Sequence, residues 1–422
     1  MTRYPRYKNS GVYYLCPLPE RWELKRAKTL FRQEKRAVRP DDGVVTCFRD
    51  GQVTLRTNRR VEGFTNSLKE IGYQGVRKGD LVIHNMDAFA GSVGVSESDG
   101  KMSPVCSICT PIRADVNVTY FALMLRVLAK TGFIKSLAKG IRERSTDFRY
   151  SDFKDLLLPL PPLPEQEAIV RYLDETTGKI DKAIAAEERL IELLQERKQI
   201  IINETVTRGL ESNAKLRPSG VAWLGDIPEG WDVRKIFVVF EENTEKNNSF
   251  VIRHAMKFNY GKLIDKNEDF DVDAMRGVYS KYTLIRQDDI VINGLNLNYD
   301  MVSQRVAIAP KNGIITSAYI TIRPRNYVCP NYYCYLFKGM DSKKIFHGMG
   351  CGIRLTLSFK DLKNQLIPLP PLHEQEAIVK YLDEETGKID RAIEVKRRQI
   401  ALLRERREII IDEVVTGKVK VA

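Results

Sequence analysis

The sequence predicts an α+β protein in which two mixed bodies, related by a pseudo-two-fold axis, are separated by a long antiparallel two-helix coiled-coil spacer. Three observations carry this prediction. Residues 159–207 and 368–416 agree at 34 of 49 positions without a gap, at a constant offset of 209, an internal repeat far beyond chance. The set Ser10-Gly-Val12, Leu15, Pro19-Glu20 and Trp22 returns as Ser219-Gly-Val221, Leu224, Pro228-Glu229 and Trp231, again 209 residues on. Between these shared segments the two halves diverge and read as strand-rich. The domains follow as body one (1–158), the central repeat helices (159–210), body two (211–367) and the C-terminal repeat helices (368–422), in agreement with about 150 residues per domain for 422 residues.

In chain order, the bodies proper run from roughly 26 to 150 and from 235 to 355. Val76-Arg-Lys-Gly-Asp-Leu-Val-Ile83 and Leu284-Ile-Arg-Gln-Asp-Asp-Ile-Val-Ile292 are turns followed by apolar strands, with Asp80 and Asp289 in equivalent places. Tyr120-Phe121 and Tyr332-Tyr333 sit in helix-like patterns, and Gly140-Ile-Arg142 matches Gly352-Ile-Arg354. Phe153-Lys-Asp-Leu156 matches Phe359-Lys-Asp-Leu362 at an offset of 206, which implies small insertions. Pro159-Leu-Pro-Pro-Leu163 and Pro368-Leu-Pro-Pro-Leu372 lack amide donors and must be extended. A short helix follows each, with Glu165 and Glu167 in the first turn where acids suit the exposed amides. The long helices then run from about Thr177 to Thr207 and from Thr386 to Thr416.

In these helices Ile180, Ile184, Ile191, Leu194, Ile201 and Thr205, and likewise Ile389, Ile393, Ile400, Leu403, Ile410 and Val414, form a narrow heptad-like seam. Such a seam calls for another helix. Paired antiparallel, the second helix returns the chain towards its own start, because Ser219-Gly-Val221 follows the first helix and Ser10-Gly-Val12 is its counterpart. The repeat order is therefore circular. About 31 residues at 1.5 Å each give a spacer of roughly 46 Å, more than one turn of B-DNA at about 35 Å. The triplets Ile200, Ile201, Ile202 and Ile409, Ile410, Ile411 add apolar surface beyond the seam and are expected to meet a second protein.

Lys plus Arg exceed Asp plus Glu by 68 − 55 = 13, which favours a polyanionic partner over an acidic protein. The N-terminus lacks an apolar core, so no signal peptide is expected, and no window approaches the roughly 18 apolar residues of a membrane span. No membrane association and a cytoplasmic location are expected. The seven cysteines form no repeated spacing between the halves; reduced thiols fit this best. Cys106-Ser-Ile-Cys109 supplies two of the four ligands of a structural zinc, and no metal site is expected.

The chain resembles the specificity subunit of type I restriction-modification systems, over nearly its whole length. The resemblance rests on Pro159 to Gln166 and Pro368 to Gln375, on Thr177 to Asp181 and Thr386 to Asp390, on the motif around Trp22 and Trp231, and on the circular repeat. It implies two target-recognition domains, each reading one half of an asymmetric bipartite site in double-stranded DNA. It also implies docking of two modification subunits that methylate adenine, with restriction subunits in the full complex. S-adenosylmethionine, ATP and Mg then belong to the partners and this chain needs no cofactor. The residues agree, for there is no GxGxxG after a strand and no Walker sequence. The competing reading is a stand-alone nucleic-acid enzyme. A nuclease could be assembled from Pro40-Asp41 and Asp152-Phe-Lys154, but Ser358 replaces Asp152 at the offset of 206, leaving the second copy without it.

Phosphates are met by Lys and Arg and base edges by Arg, Asn, Gln or Asp. The expected DNA-contacting residues of body one are Arg59 and Arg60 in a polar turn, His84 and Asn85 after a strand, and Arg142, Arg144 and Arg149 near the exit. In body two they are Arg276, Lys281, Asn293, Asn296, Asn298, Tyr299, Arg305 and Arg354. No catalytic residue is expected.

Overall fold

A computed structural model describes residues 2–59, 70–137, 147–259, 261–266, 272–299, 304–350 and 355–421. The chain divides into two units, residues 1–187 with 398–422, and residues 188–397. Each unit mixes strands and helices.

In the first unit a four-stranded antiparallel sheet has the order Phe31–Glu34, Cys106–Pro111, Leu81–His84, Val93–Val95. Successive side chains of a strand face opposite sides, and both sides here are covered. Leu81 and Ile83 join the large core with Phe31 of the same sheet and with Phe121 and Leu125 of the helix Val118–Lys130, whereas Val82 joins Val45, Val53, Val76 and Ile108 on the other face. That double burial explains the unbroken apolar run Leu81-Val-Ile83. The Asn117 side chain caps the helix by accepting from the Tyr120 amide at 3.1 Å.

The second unit has the same order of strands: Phe240–Glu242, Ile320–Pro324, Ile290–Ile292, Val306–Ile308. Ile290 and Ile292 pack with Tyr332, Tyr333 and Phe337 of the helix Pro330–Ser342, and Val291 packs with Met256, Leu263 and Ile315 on the opposite face.

The proline-rich runs begin as strands and end as helix: Pro159-Leu160 and Pro368-Leu369 close short strands, whereas Leu163 and Leu372, expected to be extended, open the long helices. Leu157–Leu160 pairs with Glu23–Arg26, and Leu366–Leu369 with Asp232–Lys235. Three residues beyond each run, in the first turn of the long helix, stands a repeated glutamine that is fully buried. Gln166 donates to the carbonyls of Pro161 at 2.7 Å and Asp115 at 2.9 Å and accepts from the Asn117 amide at 2.8 Å. Gln375 donates to Pro370 at 2.8 Å and accepts from the Cys329 amide at 2.8 Å. In both copies one amide side chain thus ties the start of the long helix to the start of the body's helix.

The expected break between a short and a long helix does not occur. Leu163–Arg208 is one helix of 46 residues and Leu372–Val415 one of 44. Gly178 and Gly387 sit inside them, at a cost of about 1 kcal/mol each in helix propensity. Flanking residues hold the ladder through them: Leu173 and Ile180 are buried in the first unit, and Leu382 and Ile389 in the second.

Each unit is completed by the end of a long helix. In the first, Ile410, Ile411, Val414 and Val415 enter the core and the Tyr120 hydroxyl donates to the Val415 carbonyl at 3.1 Å. Lys420 then bonds back to Thr2 at 2.8 Å. In the second, Ile202 and Val206 enter the core and the Tyr332 hydroxyl donates to Val206 at 2.8 Å. Ion pairs link the helices within each unit, Arg407 to Asp181 at 3.1 Å and Lys198 to Asp390 at 2.7 Å. Because a buried acceptor left unmet costs about 1–3 kcal/mol, Tyr120→Phe is expected to lower stability by that amount, read as a lower urea midpoint at an unchanged slope.

Candidate nucleic-acid interface

Two adjoining clefts open on the body of the first unit. One, of about 1150 Å³, is lined by Gln33, Lys35, Gln74, Asn85, Ser107 and Arg149. The other, of about 750 Å³, is lined by Arg49, Arg56, Arg59 and His84, and both share Tyr73 and Cys106. Four of the residues expected from the sequence to contact DNA, Arg59, His84, Asn85 and Arg149, are therefore brought to one surface. Arg60, Arg142 and Arg144 lie outside the described residues.

The sheet positions these groups. The Leu81–His84 strand ends at the clefts, and Asn85 is held by its amide on the Val105 carbonyl and by Ser107, whose hydroxyl donates to Asn85 Oδ1 at 2.9 Å. Burial lowers the pKa of His84, with Asp87 opposing the shift. His84 Nδ1 accepts from the Asp87 amide at 3.2 Å, so the ring faces the cleft as a neutral hydrogen-bonding group. Asp87 is paired instead with Arg49 at 3.0 Å. Arg59 pairs with Asp50 at 2.6 Å, which raises its pKa, and stacks 4.2 Å from the Phe48 ring centroid. Arg149 is exposed and paired with Asp147. The clefts are thus rimmed with guanidinium groups and floored with amide and hydroxyl side chains, the mixture that meets phosphates and base edges. Lys35, Arg49, Arg56 and Tyr73 also belong to this surface. In sequence they are ordinary polar-segment residues, and only strand pairing gathers them.

In the second unit Asn293, Asn296, Asn298 and Tyr299 follow the Ile290–Ile292 strand in one loop. Asn296, Asn298 and Tyr299 are exposed, Tyr299 to 74%. Arg276 is exposed, 5.4 Å from the Phe250 ring centroid, and Lys281 is exposed. Arg354 lies outside the described residues.

Several expectations are corrected. Arg305 is 1% exposed, and its guanidinium donates to the carbonyls of Asn293 at 3.1 Å and Leu295 at 2.8 Å; it is spent inside the protein and does not reach a phosphate. The isoleucine triplets split. Ile202, Ile410 and Ile411 are buried in the two cores and Ile201 packs partly against one, because a helix turns about 100° per residue and presents only one of three neighbours outward. Ile200 and Ile409 remain exposed, to 49% and 48%. Asp152 caps its own short helix, accepting from the Arg149 amide, and Asp361 does the same for Ser358. The equivalent of Asp152 is thus Asp361 at the ordinary offset of 209, and the match at 206 was out of register. Cys106 and Cys109, three apart on one strand, face opposite sides, one in each core cluster. Burial raises both thiols to about 12, and they cannot share one metal.

A family model described as the type I restriction modification DNA specificity domain matches residues 228–403. The MjaX specificity subunit of a type I restriction enzyme from Methanocaldococcus jannaschii is 24% identical over 426 residues, covering 96% of this chain and 95% of that protein. Among solved structures, the HsdS subunit from Thermoanaerobacter tengcongensis superposes with a TM-score of 0.51 at 17% identity, covering 95% of this chain and 98% of that one. A chain from work on complex assembly and conformational transition of the type I R-M system gives 0.69 at 16% identity, covering 95% and 99%. The matched segment reaches into the second copy of a repeat whose first copy is 34 of 49 residues identical, and the MjaX relative extends over both copies: the chain is similar to type I restriction-modification specificity subunits over nearly its whole length, and it shares their fold.

Proposed function

We propose that each body reads one half of an asymmetric bipartite site in double-stranded DNA and that the paired long helices, an antiparallel coiled-coil spacer in a circular repeat, set the unread gap. The observation that carries this reading is the contrast within the chain. The segments that build the helices and anchor them are nearly identical in both copies, whereas the cleft and loop residues of the bodies differ. A task repeated for identical partners keeps its residues, and two different half-sites require two different surfaces.

The identical partners are two modification subunits. A second apolar stripe supports their docking. Leu193 and Ile200 are exposed to 44% and 49% in the second unit, and Leu402 and Ile409 to 64% and 48% in the first. Each pair is spaced by seven residues and so lies on one helix face, and the two pairs are equivalent at 209. The buried seam of Ile389, Ile393, Ile400 and Ile410 is already covered, so this stripe is surplus to the fold. Methyl transfer, with S-adenosylmethionine, and ATP- and Mg-dependent translocation and cleavage reside in the modification and restriction subunits. The chain acts in the cytoplasm; no helix among the described residues is long and apolar enough to cross a membrane.

Mapping methylated adenines in a host that carries the assembled system should return one bipartite, asymmetric motif; a continuous or palindromic motif would overturn the reading. Deleting one heptad from each long helix, about 10 Å of rise, should shorten the gap while both half-sites stay the same.

A further inference from the structure

The loop after the Ile290–Ile292 strand is built from the inside. Arg305 is wholly buried, and its guanidinium reaches the carbonyls of Asn293, Leu295 and Asn296 at 3.1, 2.8 and 3.4 Å. Its own amide donates to Asp341 Oδ2 at 2.8 Å, and its carbonyl accepts from the Asn293 amide at 2.8 Å. Further along, Leu297 is 0% exposed in the core and its amide donates to Leu355 at 3.1 Å, while the Gly294 carbonyl accepts from the Leu357 amide at 2.9 Å. Gly294 is required there, since a Cβ would stand 2.4 Å from the Leu357 carbonyl oxygen. Asn296 adopts a left-handed φ of 52°, a conformation that asparagine tolerates better than most residues, and its carbonyl accepts from the Tyr299 amide at 3.1 Å. Against this fixed backbone Asn296, Asn298 and Tyr299 stand outward. Two amides and an aromatic ring, held still on a buried cation, are suited to base edges, since recognition improves when the reader is ordered before binding.

We propose that Asn293–Tyr299 is the preformed element with which the second body reads its half-site, that Asn296, Asn298 and Tyr299 make the contacts, and that Arg305 is its positioning residue. The inference rests on the reading of that body as a DNA-recognition domain. The device is private to it. In the first body the equivalent backbone bond runs from the His84 amide to the Ser92 carbonyl at 3.0 Å, and a serine there cannot span three carbonyls. Loss of the clamp should therefore blur one half-site and spare the other.

The test uses the chain assembled with its modification subunits and measures methyl-transfer rates on duplexes randomised at either half-site. Tyr299→Ala and Asn298→Ala, both surface changes, should each cut discrimination at the second half-site by about tenfold, with the first half-site and the gap unchanged. Arg305→Met should do the same without touching a base, and Arg305→Lys, which keeps a buried donor, should restore part of it. Unchanged second half-site preference in the two surface variants would overturn the assignment of the loop. Equal loss at both half-sites in Arg305→Met, tracking its thermal midpoint, would overturn the positioning role. If the unmodified complex shows no base preference at a second half-site, the DNA-reading role of that body fails instead, whatever the variants do.

Discussion

Asp289→Ala should cost the second unit about 3–5 kcal/mol, the range for removing one partner of a buried, hydrogen-bonded ion pair. Asp289 is 1% exposed. Its carboxylate accepts from Arg323 Nε and Nη2 at 3.0 Å each, from the Arg286 amide at 3.0 Å and from Asn243 Nδ2 at 3.1 Å. The truncation strands four donors at once. Because the Arg323 side chain keeps 22% of its surface in water, the cost should fall towards the lower end. Asp289→Asn, which keeps acceptor capacity but loses the charge, should lie between. Hydrogen exchange at Ile290–Ile292 reads the loss locally, and protection at Leu81–His84 in the other unit should be retained. Asp80→Ala should give the mirror outcome, since Asp80 accepts from Arg36 and, at 2.7 Å, from the Arg77 amide. Protection unaltered by Asp289→Ala would show that the charge cluster is not what fixes the turn.

The second large effect is on affinity. With a net charge of +13 and clefts rimmed by Lys35, Arg49, Arg56, Arg59 and Arg149, binding to a DNA duplex should release counterions in proportion to the phosphates met. For six to ten such contacts the affinity is expected to fall by about 10³–10⁵ between 50 and 200 mM salt. Arg59→Ala and Arg149→Ala should each reduce the log-log slope by about 0.9 if each meets one phosphate, with sequence preference intact. A slope near zero would remove DNA from the account of these clefts.

The site was legible in part, and the reasons differ by residue. Asn85 and His84 could be placed because they end an apolar strand, and strand ends carry their side chains to a rim. Arg305 looked like any loop arginine; sequence gives no sign that its stem dives inward, since that depends on carbonyls contributed by residues 9 to 12 positions earlier. Tyr73 and Lys35 were invisible as members of a site because antiparallel pairing, not spacing, brings them beside Asn85. The isoleucine triplets were read as one surface, although three consecutive helical residues point in three directions.

The sequence by itself determined that the chain mixes helices and strands and carries one long-helix segment twice: a repeat of 34 identities in 49 demands one local structure built twice, and the seam of the long helices follows from their heptad-like spacing. It also determined that the proline-rich runs begin extended, because they lack amide donors; their pairing with Glu23–Arg26 and Asp232–Lys235 was decided by the tertiary structure. Only the tertiary structure decided which apolar residues of the helices are covered, that Gln166 and Gln375 are buried ties, and that Arg305 holds a loop. Periodicity is a local property that survives in one dimension. Burial and hydrogen bonding depend on partners far apart in the chain, and those partners meet only once the backbone has folded.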